Sequence, residues 1–194
     1  LPCLARFVVF CGLRNLCFCV SFALFALCAL LECLTFIVCI AFVLRYLCVV
    51  FLNDVKELFD QADDKYAVMC VQHDYTPKPG IKMDGQKQTI YPRKNWSSVV
   101  LWNCGHPSNE KITVDLVNNP NYDGKYFHRF SWLKDEEIGK LSHEWNWLVG
   151  WYKAPEDGEP KALHYTEGGP WFKNYRHCEY GDVWKNYLSE MMKK

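Results

Sequence analysis

The chain holds 194 residues, with 22 lysines and arginines against 22 aspartates and glutamates, a formal net charge of +0. That balance argues against a basic face for nucleic acid and against an acidic, disordered tail, and the length suits one medium domain with its own core. The averages conceal a division. Eight of the eleven cysteines fall in the first 48 residues, whereas all eight tryptophans lie beyond residue 95. Residues 1–52 have no lysine and no aspartate, and their only charged side chains are Arg6, Arg14, Glu32 and Arg45. The chain is therefore read as an apolar, cysteine-rich segment over 1–52 joined to a domain of ordinary composition over 53–194.

Within the first segment, residues 16–31 and 33–44 are two runs without charge. A membrane-spanning helix needs about 20 apolar residues. Residues 16–44 would reach that length only with Glu32 near the middle, which is costly in hydrocarbon. The pattern is also wrong for a signal peptide, which has one short apolar core and a small-residue cleavage site. Three readings stay open: a helical anchor or hairpin in a membrane, a buried structural segment, and a stretch that is out of frame or misjoined. The cysteines carry no metal pattern, since Cys17 and Cys19 have no second pair at ligand spacing. Cys70, Cys104 and Cys178 are expected to be free thiols in a reducing compartment. The expected location is the cytoplasm, with membrane contact through residues 1–52 if they form an anchor.

The second segment alternates short apolar runs with turn residues. Asn53 and Asp54 ahead of Val55, Leu58 and Phe59 predict a capped short helix. Residues 66–71 predict a buried strand, 73–88 a polar loop with little regular structure, and 97–102 a second strand. A helix is expected to start within 111–118, and 119–125 is a turn. Residues 135–141 read as a short helix or turn. Residues 161–165 form a third strand candidate, ending at the Gly168-Gly169-Pro170 turn, and 181–192 a closing helix. Strands interleaved with helices give an α/β fold class.

The most informative stretch is His164-Tyr165-Thr166-Glu167-Gly168-Gly169-Pro170-Trp171. A histidine ending an apolar strand sits where α/β proteins bind ligands, at the carboxyl edge of the sheet. Paired glycines let backbone N–H groups approach a phosphate with no Cβ in the way. Lys173 follows within reach of an anion. Taken alone, the same residues also describe a strand-to-turn junction around a satisfied core histidine.

This stretch resembles the C-terminal metal and diphosphate motif of family 8 glycosyltransferases, the glycogenin-like group. Four further segments resemble that family in the same order. They are Phe51 to Phe59, Lys94 to Asn103, Trp132 to Gly139, and Leu141-Ser142-His143-Glu144-Trp145-Asn146. The similarity covers about residues 51–188. It implies an incomplete, Rossmann-like GT-A domain that transfers a sugar from a nucleotide-diphospho-sugar, such as a UDP-sugar, to a sugar or glycan acceptor. It further implies a divalent cation, Mn²⁺, with His164 as metal ligand. Gly168, Gly169 and Lys173 would face the diphosphate. Ser98 and Asn103 would lie near the donor sugar. Asp135 and Glu136 would be the catalytic carboxylates, with His128 and Arg129 as alternatives.

The departures from the family pattern matter as much. Where the family has an Asp-x-Asp metal pair, this chain has Tyr46 and Cys48, neither of which replaces a hard oxygen ligand well. The family's nucleotide-binding strands have no counterpart in residues 1–50. The expectation is therefore an impaired transferase. A non-catalytic carbohydrate-binding module and a membrane-anchored interaction protein are the alternatives.

Overall fold

The computed structural model of the protein describes residues 7–11, 48–76, 78–82 and 85–193. Two sheets and a hairpin carry the fold. The first sheet has the order β1-β6-β3-β7, formed by Phe7–Cys11, Val99–Asn103, Val68–Cys70 and Ile138–Lys140. In it, β6 runs antiparallel to both β1 and β3, while β7 runs parallel to β3. The second sheet has the order β2-β9-β8, from Val49–Phe51, Ala162–His164 and Trp147–Leu148. There β2 is antiparallel and β8 parallel to the central β9. The hairpin pairs β4, Ile81–Lys82, with β5, Gln86–Lys87.

The period-two rule explains why the first sheet holds. Val68 and Cys70 of β3 join Val100 and Trp102 of β6 on one face. There they meet Phe127, Phe130, Trp132 and Leu133. Met69, Val71, Val99 and Leu101 point to the opposite face and meet Leu58, Leu141 and Trp145. Both faces are thus covered, which is why these strands read as near-continuous apolar runs. Each such buried side chain contributes about 1.5–3 kcal/mol relative to exposure. β7 approaches β3 closely because Gly139 has no Cβ: one built there would lie 2.5 Å from the Tyr66 ring and 2.7 Å from Met69.

Short capped helices connect the strands. In α1, Val55–Phe59, Asp54 accepts from the Lys56 N–H at 2.9 Å, and Leu58 is the residue it buries. α2, Val114–Asn118, is capped by Thr113, and α3, Gly124–His128, by Asp123. α4, Gly181–Met192, packs Val183 and Trp184 onto Tyr165 and Trp171.

Several expectations need correcting. Residues 7–11, part of the apolar segment for which a helical anchor is one reading, form strand β1, pairing Phe7 with Asn103 through Cys11 with Val99. The rest of the anchor question, residues 12–47, lies outside the described residues. The division at residue 52 passes through the folded body, because Val49–Phe51 pair with β9. The polar loop over 73–88 contains the β4–β5 hairpin. The residues expected as a short helix or turn divide into a 3-10 turn, Asp135–Glu137, and strand β7. The α/β class stands as expected. Among the described residues, no helix is long and apolar enough to cross a membrane.

Candidate functional site

The last residue of β9 is His164, only 6% exposed. Its Nδ1 lies 2.9 Å from Oδ1 of Asn146, which is fully buried. The Asn146 amide donates to the Asn95 carbonyl at 3.2 Å. Asn95 in turn donates through Nδ2 to Thr166 Oγ1 at 3.2 Å, and Ser98 Oγ donates to the Asn95 carbonyl at 2.9 Å. Five buried polar residues from three distant segments therefore form one network. In a low-dielectric interior such a network is strong when its groups are paired.

The 93–98 segment that feeds this network is conformationally unusual. Arg93 and Asn95 adopt φ of 56° and 63°, a left-handed region that is uncommon outside glycine and that clusters at functional sites. Arg93 is held there by its guanidinium. It donates to the carbonyls of Arg129 at 2.5 Å, Phe130 at 2.8 Å and Leu133 at 3.4 Å, and pairs with Asp135 at 2.5 Å. Between the two, Lys94 is buried with its ammonium 4.4 Å from the centre of the Tyr91 ring.

A second group of rings adjoins the first. His73 follows β3, and its carbonyl accepts from Trp96 Nε1 at 3.2 Å. Its Nδ1 lies 2.8 Å from the Tyr152 hydroxyl. Burial, and then the neighbouring His143, push the His73 imidazole down to about 3, so it is neutral at physiological pH. Burial, followed by Asp157 and Asp74, pushes the Tyr152 phenol up to about 12. Cys70 is likewise raised to about 12 by burial, which makes it an inert thiol.

The expected site residues are distributed unevenly. His164 and Ser98 share the network. Gly168 and Gly169 follow it, but both pack against aromatic rings. A Cβ at Gly168, where φ is +147°, would lie 2.9 Å from Tyr175, and one at Gly169 would lie 2.0 Å from Trp171. Close ring packing thus accounts for both glycines. Lys173 is exposed in the 3-10 turn Lys173–Tyr175. Asp135 is 86% exposed at its side chain and tied to Arg93, and Glu136 is exposed 4.0 Å from Lys134. Of the alternatives, His128 bonds Tyr91 and Ser97, and Arg129 lies over the Tyr91 ring.

Asn103 stands apart from the others. It ends β6, whereas Ser98 precedes the strand, so the whole of the strand, about 17 Å of chain, separates the two. Its amide donates to the Asp64 and Tyr66 carbonyls, both at 3.1 Å, and its Oδ1 accepts from Gly105. Asn103 is a turn lock. Asn103→Ala is expected to lower stability by about 1–3 kcal/mol, the cost of losing the three hydrogen bonds of this buried side chain. Urea denaturation is the check, and no loss of stability would contradict this role.

The residues not singled out beforehand are Asn95, Asn146, Thr166, His73 and Tyr152. The first three lie inside the quoted motifs, so proximity to His164 was the missing information.

The donor set does not suit a manganese ion held in the family's manner. Register places Val49 opposite His164 and Cys48 opposite Tyr165, whose N–H donates to the Cys48 carbonyl at 2.7 Å, so strand alternation directs the Cys48 thiol to the other face from the imidazole. A thiol is in any case a soft donor, and Mn²⁺ favours carboxylate oxygen. Tyr46 lies outside the described residues. Among the described residues, no three histidine, cysteine, aspartate or glutamate side chains come together.

Comparison with known proteins gives a limited set of likenesses. No family model matches the sequence, and no solved structure matches it. The chain is similar to Protein CDI of Arabidopsis thaliana, with 54% identity over 147 residues. The matched region covers 74% of this chain and 56% of that protein, so the chain spans little more than half the length of the curated relative it resembles.

Proposed function

We propose that residues 48–193 form part of a GT-A-type, glycosyltransferase-like domain. In this reading it binds a nucleotide-diphospho-sugar such as a UDP-sugar and directs the sugar to a sugar or glycan acceptor. One observation carries the reading. Three segments that resemble family motifs, separated by up to 71 residues, meet around one buried imidazole. The His164 network would position the donor, with Ser98 and Thr166 at its margin. Asp135 and Glu136, exposed beyond Arg93, would act electrostatically or as a base on the acceptor side. Lys173 would neutralise phosphate charge from the surface.

Turnover is expected to be poor. Cation stabilisation of a leaving diphosphate is worth several kcal/mol, and each 1.36 kcal/mol is tenfold in rate. The carboxylates that would supply it are replaced by Tyr46 and Cys48.

Calorimetric titration with UDP tests the reading. The expected result is measurable UDP binding that His164→Ala weakens about tenfold or more, an effect worth roughly 1.4 kcal/mol. Added MnCl₂ is expected to change it little. Absence of UDP binding sinks the proposal. Binding of glycan without UDP would favour a carbohydrate module instead. Among the tryptophans, Trp151 is the exposed one, 43% with Tyr75 edge-on at 4.8 Å, and offers a platform of that kind. The other seven tryptophans are buried or half-buried.

A further inference from the structure

We propose that Asn146 is a positioning residue that locks the His164 imidazole with its hydrogen on Nδ1 and its lone pair on Nε2. Each group in the chain of partners has a limited hydrogen-bonding capacity. The Asn95 backbone carbonyl can only accept. The Asn146 atom facing it at 3.2 Å must therefore be the donating Nδ2. The reversed amide would set two oxygens against each other at that distance. With Nδ2 so assigned, Oδ1 is the atom turned to His164, and Oδ1 can only accept. The His164 Nδ1, 2.9 Å away, must then carry the hydrogen. Neutral imidazole has one N–H, so Nε2 is left with the electron pair.

The direction of the amide is itself held from further back. Asn95 is fixed in its left-handed conformation, and its side chain donates to Thr166, two residues beyond His164. The loop that contains the histidine and the loop that orients it are thus tied together on both sides of the ring. All four residues are buried, so water does not compete for these bonds.

The consequence is chemical. In this tautomer Nε2 cannot donate to a phosphate oxygen. It can only give its electron pair to a cation or accept a hydrogen. A histidine whose second nitrogen is fixed in this way is the usual arrangement behind a ligating imidazole. The hydrogen on Nδ1 follows from these two bonds, and the pair on Nε2 from a neutral ring. Only the statement that the electron pair meets a sugar-nucleotide ligand rests on the function proposed above.

Two-bond ¹H–¹⁵N correlation spectra of the ¹⁵N-labelled chain at neutral pH test the lock. The His164 ring is expected to show a pyrrole-type Nδ1 and a pyridine-type Nε2. Its slowly exchanging Nδ1 proton should show an Overhauser contact with the Asn146 side-chain amide. Asn146→Leu is expected to leave an averaged or inverted pattern. A pyridine-type Nδ1 in the wild type, or an unchanged pattern in folded Asn146→Leu, overturns the inference. If the leucine variant does not fold, the wild-type shifts and the Overhauser contact decide alone. Loss of UDP binding with the stated tautomer intact would count against the proposed function and leave this inference standing.

Discussion

Alanine at position 169 will destabilise the protein by about 3 kcal/mol or more, at the upper end of what overpacking costs. The new Cβ would lie 2.0, 2.2 and 2.6 Å from three carbons of the Trp171 ring. No side chain tolerates such distances, so the ring must leave. Trp171 packs edge-on to Tyr165 at 5.8 Å and lies 5.4 Å from Trp184 of α4, so moving it loosens the attachment of the closing helix. The sign is informative. Where space allows, glycine to alanine stabilises by about 0.4–1 kcal/mol through the unfolded chain. Urea denaturation of Gly169→Ala, Trp171→Ala and the double variant separates the terms. The cost of the alanine should nearly vanish once the indole is gone. An equal cost in both backgrounds would refute the ring-packing account and return the glycine to a role in backbone access.

A second large effect is expected on acidification, and it belongs to His73. In the unfolded chain this imidazole takes a proton near its ordinary value of 6.5, and in the folded chain only at about 3. Between those values the unfolded state binds the extra proton. Stability is therefore full above pH 6.5 and falls as the pH drops toward 3. The steepest slope for one such group is about 1.4 kcal/mol per pH unit. Asp63, Glu137 and Asp182 are also held below their ordinary values of 3.8 to 4.5, so they add acid sensitivity only lower down. The interval between pH 6.5 and 5 thus lies above the range of these carboxylates, and the His73 variant identifies the imidazole's share of the slope there. His73→Leu should flatten the stability profile there by about 1 kcal/mol per pH unit, even if the orphaned Tyr152 hydroxyl lowers its overall level. Parallel profiles for variant and wild type would show that His73 is not the group responsible.

Much of the architecture was legible because burial and capping leave local marks. The runs at 66–71, 97–102 and 161–165 became β3, β6 and β9, and Asp54 capped α1 as its spacing required. The closing helix over 181–192 appeared with the expected bounds. The misses share a physical cause. β7 is Ile-Gly-Lys and β8 only Trp-Leu. Strands of two or three residues are too short to show a period, and Gly139 argues against a strand until its close approach to Tyr66 is seen. β1 was hidden by an apolar run whose composition fits helix and strand equally. The site was half legible. His164 announced itself through its place after an apolar strand and before paired glycines. Asn146 and Asn95 did not, because a polar side chain's partner 18 or 51 residues away leaves no trace in spacing. Asn103 shows the converse: its partners at Asp64 and Tyr66, across the turn, leave no mark in the motif that contains it.

The run from Arg93 to Ser98 serves two neighbours at once. Arg93 gathers the carbonyls of residues 129, 130 and 133, while Asn95 holds Thr166 and the amide behind His164. One residue lies between them, too short a stretch for either to shift without dragging the other. A lesion that frees the guanidinium therefore also unsettles the imidazole's orientation. Sequence drift on the α3 side and fidelity at the β9 rim are in this way inherited together.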